Sequence, residues 1–218
     1  MKKLLIAILC LLVVACATPR RHNGPLPASA PSSVDGLVAA IQEDSRQADK
    51  TSDGAARAKL ADEASAYADA CLAKAPGAAG CLYGRGLAFG LLAQAHPLSA
   101  NDSLKSMLDS LGKADAADPG YDHAGPSRVR ALVLVRAPGW PVGPGDADTG
   151  LTFAQRAVEL QPTYPPNLLA LAEARAKTGD ANGARDAYGK ARDAAQALPA
   201  SEDRDGWLRD ATQGLQRK

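Results

Sequence analysis

Pro76, Pro119 and Pro162 recur at a spacing of 43 residues, and each closes the same short pattern of small and apolar side chains. Five residues before each proline stands Cys71, Ala114 or Ala157, and eight before stands Ala68, Leu111 or Ala154. Proline lacks a backbone donor and restricts the residue before it, so each one marks the end of a helix. A fixed period of about 20 to 50 residues built from helical segments specifies a solenoid, in which each unit buries its apolar face only against its neighbour. Aromatic residues make up 4% of the chain and alanine is abundant, which suits closely approaching helices. Alternating runs of Val, Ile and Thr, the mark of half-buried strands, do not occur.

The apolar periodicity places about nine helices. Val34, Leu37, Val38 and Ile41 stand at i, i+3, i+4 and i+7, the stripe of a first amphipathic helix. Further helices are predicted over 54–74, 80–95, 99–117, from near 126 to 136, and over 146–160, 165–178, 181–197 and 201–216. The last carries Trp207, Leu208, Ala211 and Leu215 on one face and charges on the other, as a helix capping the open end of a solenoid should.

The offsets specify the repeat further. Six residues past each proline stand Leu82, Gly125 and Leu168, where a tetratricopeptide (TPR) unit places a large residue of its first helix. Counted on from Leu168, the residues Leu171, Ala172, Ala184, Tyr188 and Ala191, with the turn Thr178-Gly179-Asp180, resemble the TPR pattern of large residues facing small ones. Gly86 and Phe89 repeat the match one unit earlier. The 43-residue period exceeds the TPR period of about 34. The surplus is expected between the paired helices, around His96-Pro97-Leu98-Ser99 and over 137–145.

The N-terminus is of another kind. Lys2 and Lys3 precede an apolar run from Leu4 to Val14, too short to span a bilayer as a mature helix and ordered like a secretory signal. The run ends in Val13-Val14-Ala15-Cys16, which resembles a bacterial lipobox. That resemblance implies removal of residues 1–15, acylation of Cys16 and, with Ala17 following the cysteine, placement on the periplasmic side of the outer membrane of a Gram-negative bacterium. Residues 16–33 hold four prolines without apolar periodicity and form a tether. The helical domain then occupies 34–218. Removing Lys2 and Lys3 from a net charge of +1 leaves about −1, without an electrostatic footprint for nucleic acid.

One stretch is more specific. Gly125-Pro126-Ser127-Arg128, Ala137-Pro138-Gly139-Trp140-Pro141, Gly145-Asp146 and Tyr164-Pro165-Pro166-Asn167 through Glu173 together resemble the T component of TRAP transporters, a family of TPR-like periplasmic lipoproteins. The resemblance implies an all-α superhelix, association with the periplasmic solute-binding protein of a TRAP transporter, and a cavity for a small, hydrophobic ligand. Repeat surfaces also serve as adaptors for outer-membrane, pilus or secretion assembly, as peptide-binding chaperones, or in homo-oligomers, and these remain the rival readings.

Five residues of that stretch, Arg128, Trp140, Asp146, Asn167 and Glu173, are candidates for ligand or partner binding. Trp140 lies in a loop of prolines and glycines; it either plugs the groove between helix pairs or lines a recognition surface. Asp146 precedes the sixth helix as its expected N-cap. Arg128 either pairs with Asp146 or Glu173 or contacts ligand. Asn167 either caps the seventh helix or hydrogen-bonds across the concave surface.

No catalytic, cofactor or metal constellation is legible. The glycines of Gly84-Arg85-Gly86-Leu87-Ala88-Phe89-Gly90 lack the dinucleotide spacing and a preceding strand, and serve helix packing. Asp146-Ala147-Asp148-Thr149-Gly150 lacks the later ligands of a calcium loop. His22, His96 and His123 stand far from any partner at ligand spacing. The sequence is therefore read as that of a non-enzyme. Cys71 and Cys81 flank Pro76 on adjacent helices; in an oxidising compartment they form either a disulfide or a pair of buried apolar contacts.

Overall fold

Ser33 holds an extended backbone and its hydroxyl accepts a hydrogen bond from the Gly36 amide at 3.1 Å, so the first helix starts at the next residue. Asp53 and Asp180 cap later helices in the same way, accepting from the amides of Ala55 at 2.9 Å and Gly183 at 2.8 Å. The computed structural model describes residues 24–216. The expected signal segment 1–15, Cys16 and the tether as far as 23 lie outside the described residues. Nine α-helices follow among those described: α1 Val34–Lys50, α2 Gly54–Lys74, α3 Ala79–Ala95, α4 Ala100–Ala117, α5 Tyr121–Arg136, α6 Ala147–Leu160, α7 Pro165–Lys177, α8 Ala181–Gln196 and α9 Glu202–Gln216. None is long and apolar enough to cross a membrane.

Each helix packs on the next, giving four antiparallel pairs, α1/α2 to α7/α8, and a terminal α9 on α7 and α8. The turns within pairs (51–53, 96–99, 137–146, 178–180) lie along one edge of the superhelix, and those between pairs along the other. The repeat positions read from sequence are the core of this arrangement. Ala68, Leu111 and Ala154, and likewise Cys71, Ala114 and Ala157, are all 0% exposed. Small residues there let backbones approach. A Cβ on Gly86 would stand 2.8 Å from the Leu111 side chain, too close for any larger residue unless α3 moved off α4.

The surplus of the long period takes two forms. In the second pair only His96 and the 3₁₀ turn Pro97–Ser99 separate the helices, and most of the surplus lies in the length of α3 and α4, 17 and 18 residues, rather than between them as expected. In the third it is the loop 137–146, which folds back on itself: the Gly145 amide donates to the Pro138 carbonyl at 2.8 Å and the Asp146 amide to that of Leu134 at 2.9 Å. A Cβ on Gly145 would overlap the Ala137 carbonyl, so this close return requires glycine. The peptide bond between Trp140 and Pro141 is cis.

Cys71 and Cys81 are joined by a disulfide across the turn at Pro76, with their Cα atoms 5.4 Å apart. Closing so short a loop contributes about 2–3 kcal/mol by the chain-entropy relation. The double variant Cys71→Ala, Cys81→Ala is expected to lose about that much stability in urea titration, and the oxidised protein to yield a crosslinked 71–81 peptide on non-reducing digestion.

One buried carboxylate opposes the fold at neutral pH. Asp44 of α1 is 9% exposed with Oδ2 unpartnered, and burial, reinforced by Glu63 and Glu43, pushes its pKa up to about 6. Its folded pKa lies above the unfolded value of 3.8, so the penalty on folding is full above pH 6, shrinks as pH falls from about 6 towards 3.8, and is gone below that. Asp44→Asn is expected to gain about 1–3 kcal/mol at pH 8 and almost nothing at pH 4. Urea titrations at both pH values check this; a loss at pH 8 would contradict it.

Candidate functional site

The chain reverses hand where the second pair meets the third. Asp122, His123 and Ala124 take φ of 48°, 54° and 63°, three consecutive left-handed residues without a glycine among them. Each costs about 1–2 kcal/mol relative to right-handed backbone, so the turn persists only where the surroundings over-determine it. Right-handed helix resumes at Gly125, which agrees with the start expected near Pro126. Gly125 stands where a TPR unit has a large residue. A Cβ there would lie 2.8 Å from Asp122 Oδ2 and 3.0 Å from Tyr83 Cζ.

Arg128, 8% exposed, holds this turn from one helical turn further on. Its Nη1 donates to the carbonyls of Asp122 at 3.1 Å and His123 at 3.2 Å and to Asn167 Oδ1 at 3.1 Å. Its Nη2 donates to Asp122 Oδ2 at 2.8 Å, and the Tyr83 hydroxyl donates to the same oxygen at 2.8 Å. Asn167, fully buried, answers from the fourth pair: its Nδ2 donates to His123 O and Ala157 O, both at 3.0 Å, and to Gln161 O at 3.3 Å. Four helices, α3, α5, α6 and α7, thus meet at one hydrogen-bonded node. Burial pushes the Tyr83 hydroxyl well above the usual tyrosine range, keeping it a donor.

Aromatic rings continue the node along the same edge. Tyr121 meets Tyr83 edge-on at 5.4 Å; His123 stacks on Tyr164 at 4.3 Å, and Tyr164 meets Trp207 of α9 edge-on at 5.7 Å. The Arg128 guanidinium lies 5.3 Å from the Tyr164 ring centre. Tyr121 and Tyr164 each stand two residues after a repeat proline, a periodic signal present in the sequence.

Above the node opens a concave cleft of about 530 Å³, lined by Asp49 of α1, Arg128, Leu132 and Arg136 of α5, Glu173 of α7, and Trp207 and Asp210 of α9, among others. Arg136 makes a bidentate pair with Glu173, at 2.8 and 2.7 Å. Asp49 and Asp210 enter no ion pair among the described residues. Lys50, ending α1, pairs with Glu202, opening α9, at 2.7 Å, so the two ends of the superhelix meet beside the cleft.

The five sequence candidates therefore separate. Arg128 and Glu173 line the cleft, and Asn167 lies beneath it. The expected pairing of Arg128 with Asp146 or Glu173 does not occur: the left-handed turn brings Asp122 closer, and Glu173 is taken by Arg136. Asn167 bonds across the helix pairs. Asp146 caps α6, accepting from the amide and hydroxyl of Thr149 at 3.1 and 2.6 Å, and lies away from the cleft. Trp140 plugs no groove; it is 90% exposed, because the closed loop 137–146 turns its tip outward. Asp122, Tyr83, Arg136 and Trp207 were not singled out as site residues from sequence.

No family model matches the chain, and no curated protein matches it in sequence. Among solved structures, it is similar to a thermophilic TPR protein of Thermus thermophilus, with a TM-score of 0.54 and 21% identity over 83% of this chain and 92% of that one. The fold is a TPR-like, all-α helical repeat.

Removing the Asn167 side chain takes one donor from each of the carbonyls of His123, Ala157 and Gln161 and the Oδ1 acceptor from Arg128. Asn167→Ala is expected to cost about 2–4 kcal/mol, and Arg128→Met about 3–5 kcal/mol, since it leaves the Asp122 carboxylate half-buried without its charge partner. Urea titration measures both; losses below about 1 kcal/mol would show that the node is not what holds the turn.

Proposed function

We propose that this chain is a lipid-anchored, periplasm-facing binding or adaptor subunit whose concave cleft receives a ligand or partner segment, in the service of a TRAP-type solute uptake system. The observation that carries the reading is the cleft itself. It is concave and aromatic-walled, and a buried polar node preorganises it, which lowers the cost of ordering on binding. The TPR-like fold supports protein–protein interaction in general and a non-enzymatic repeat protein. The transporter assignment rests on the sequence run from Gly125 to Glu173, and the anchor on Cys16 and the residues before it.

The work of such a subunit is non-covalent. Acyl chains on Cys16 would hold the domain at a membrane and raise its effective concentration there. Within the cleft the two guanidiniums already have carboxylate partners, whereas Asp49 and Asp210 do not, so the free charge beside Trp207 is negative. A cationic or amide-rich segment suits that balance better than an anionic one. The rival, an adaptor in outer-membrane, pilus or secretion assembly, draws equal support from the fold and would use the same surface.

Crosslinking in living cells, then purification in mild detergent and mass spectrometry of retained proteins and small molecules, separates the two. Recovery of a periplasmic solute-binding protein is expected. Recovery of assembly or secretion subunits with no metabolite would replace the transporter reading by the adaptor one. In either case Trp207→Ala is expected to lower capture about ten-fold or more, as loss of an aromatic anchor does; undiminished capture by the folded variant would remove the cleft from the interface.

A further inference from the structure

The three most exposed large apolar side chains among the described residues are Leu98 at 106%, Trp140 at 90% and Val142 at 70%. They stand in consecutive turns on the same edge, 96–99 and 137–146. The two turns are neighbours, because Ala100, just beyond the first, and Ala137, opening the second, line one apolar groove of about 400 Å³ with Leu104, Met107 and Val133. From 96 to 99 and from 137 to 145 there is no Lys, Arg, Asp or Glu; the one charge of the longer turn is Asp146 at its end, which caps α6 as Asp53 and Asp180 cap α2 and α8. An apolar protein-binding patch is normally surrounded by a polar rim; uncharged loop tips led by a tryptophan match the headgroup level of a bilayer.

The way the chain enters the domain agrees. Gly24 lies beside Asp62 of α2, eight residues from the helix end at Gly54, hence about 12 Å from this edge. The eight residues from Cys16 to Gly24 span at most about 29 Å, enough to pass that edge and reach a bilayer lying against it. We infer that the edge bearing Leu98, Trp140 and Val142 is a membrane-contact surface, which seats the domain on a lipid bilayer with its cleft held at a fixed orientation. This rests on the lipid-anchor reading above.

The test uses the full chain, purified from bacterial membranes and weighed by mass spectrometry for acyl groups on Cys16. It is then reconstituted in phosphatidylethanolamine–phosphatidylglycerol vesicles with bromine-labelled acyl chains. With Trp207→Phe, the single Trp140 is expected to be quenched at least two-fold relative to unbrominated vesicles, at low and high salt alike. Adding Leu98→Ser and Val142→Ser is expected to halve that quenching. In the complementary Trp140→Phe protein, Trp207 in the cleft is expected to stay unquenched. Acylated, vesicle-bound protein with Trp140 unquenched, or with both tryptophans quenched equally, would overturn the inference while leaving the anchor in place. Protein without acyl groups would refute the anchor; the edge is then judged by adding the same vesicles to the free protein, where absence of Trp140 quenching overturns it.

Discussion

A single guanidinium ties the turn at which the second helix pair gives way to the third to the helix pair that follows. Arg128 reaches back over a left-handed turn, neutralises Asp122, donates to the carbonyls of Asp122 and His123, and donates also to Asn167 of the next pair. The turn would otherwise cost several times 1–2 kcal/mol; charge-assisted hydrogen bonds of about 1.5–3 kcal/mol each offset it. Because Tyr83 joins from α3 and Asn167 ties in α6 and α7, the node fixes the relative placement of three successive helix pairs. Apolar stacking alone would leave that placement to alanine contacts, which are close but carry little shape.

The remaining structure distributes roles around this constraint. Small residues at the repeat positions make the pairs approach, aromatic rings from Tyr83 to Trp207 fill the edge where pairs join, and the far edge is left to loops. With the helix pairs so placed, α1 and α9 arrive on either side of one cleft, and among the described residues the exposed pair Lys50–Glu202 is the one ion pair that joins them. A contact of that kind, between two exposed side chains, contributes little, so it holds the mouth only weakly. Stability and access therefore reside in different places: the node is buried and strong, the mouth exposed and weak.

Much of this was legible because repetition is a property of sequence. The 43-residue period marked Ala68, Leu111 and Ala154 as core, and all three are fully buried. Helix ends announced by Pro76, Pro119 and Pro162 fall where expected, and the glycines of α3 do serve close packing. The site was legible in part. Arg128, Asn167 and Glu173 were marked, but their partners were not, since pairing across 39 residues depends on a left-handed turn that three non-glycine residues would not suggest. Two places were open for Trp140, because the sequence shows a rigid loop without showing which way its tip faces; in the structure it is exposed and plugs no groove. Trp207 was read only as a capping residue, because the closing of the superhelix onto itself has no local signature.

The central claim is that the Arg128–Asn167 node sets the curvature that brings the first and last helices together. Pulsed electron resonance between spin labels at Gln47 of α1 and Arg209 of α9 measures that directly. One narrow distance distribution is predicted for the otherwise unaltered chain, and a broader, longer one for Asn167→Ala, while a label pair within α7 and α8 stays unchanged. The same narrow distribution in both proteins would contradict the claim, and so would a broad one in the unaltered chain.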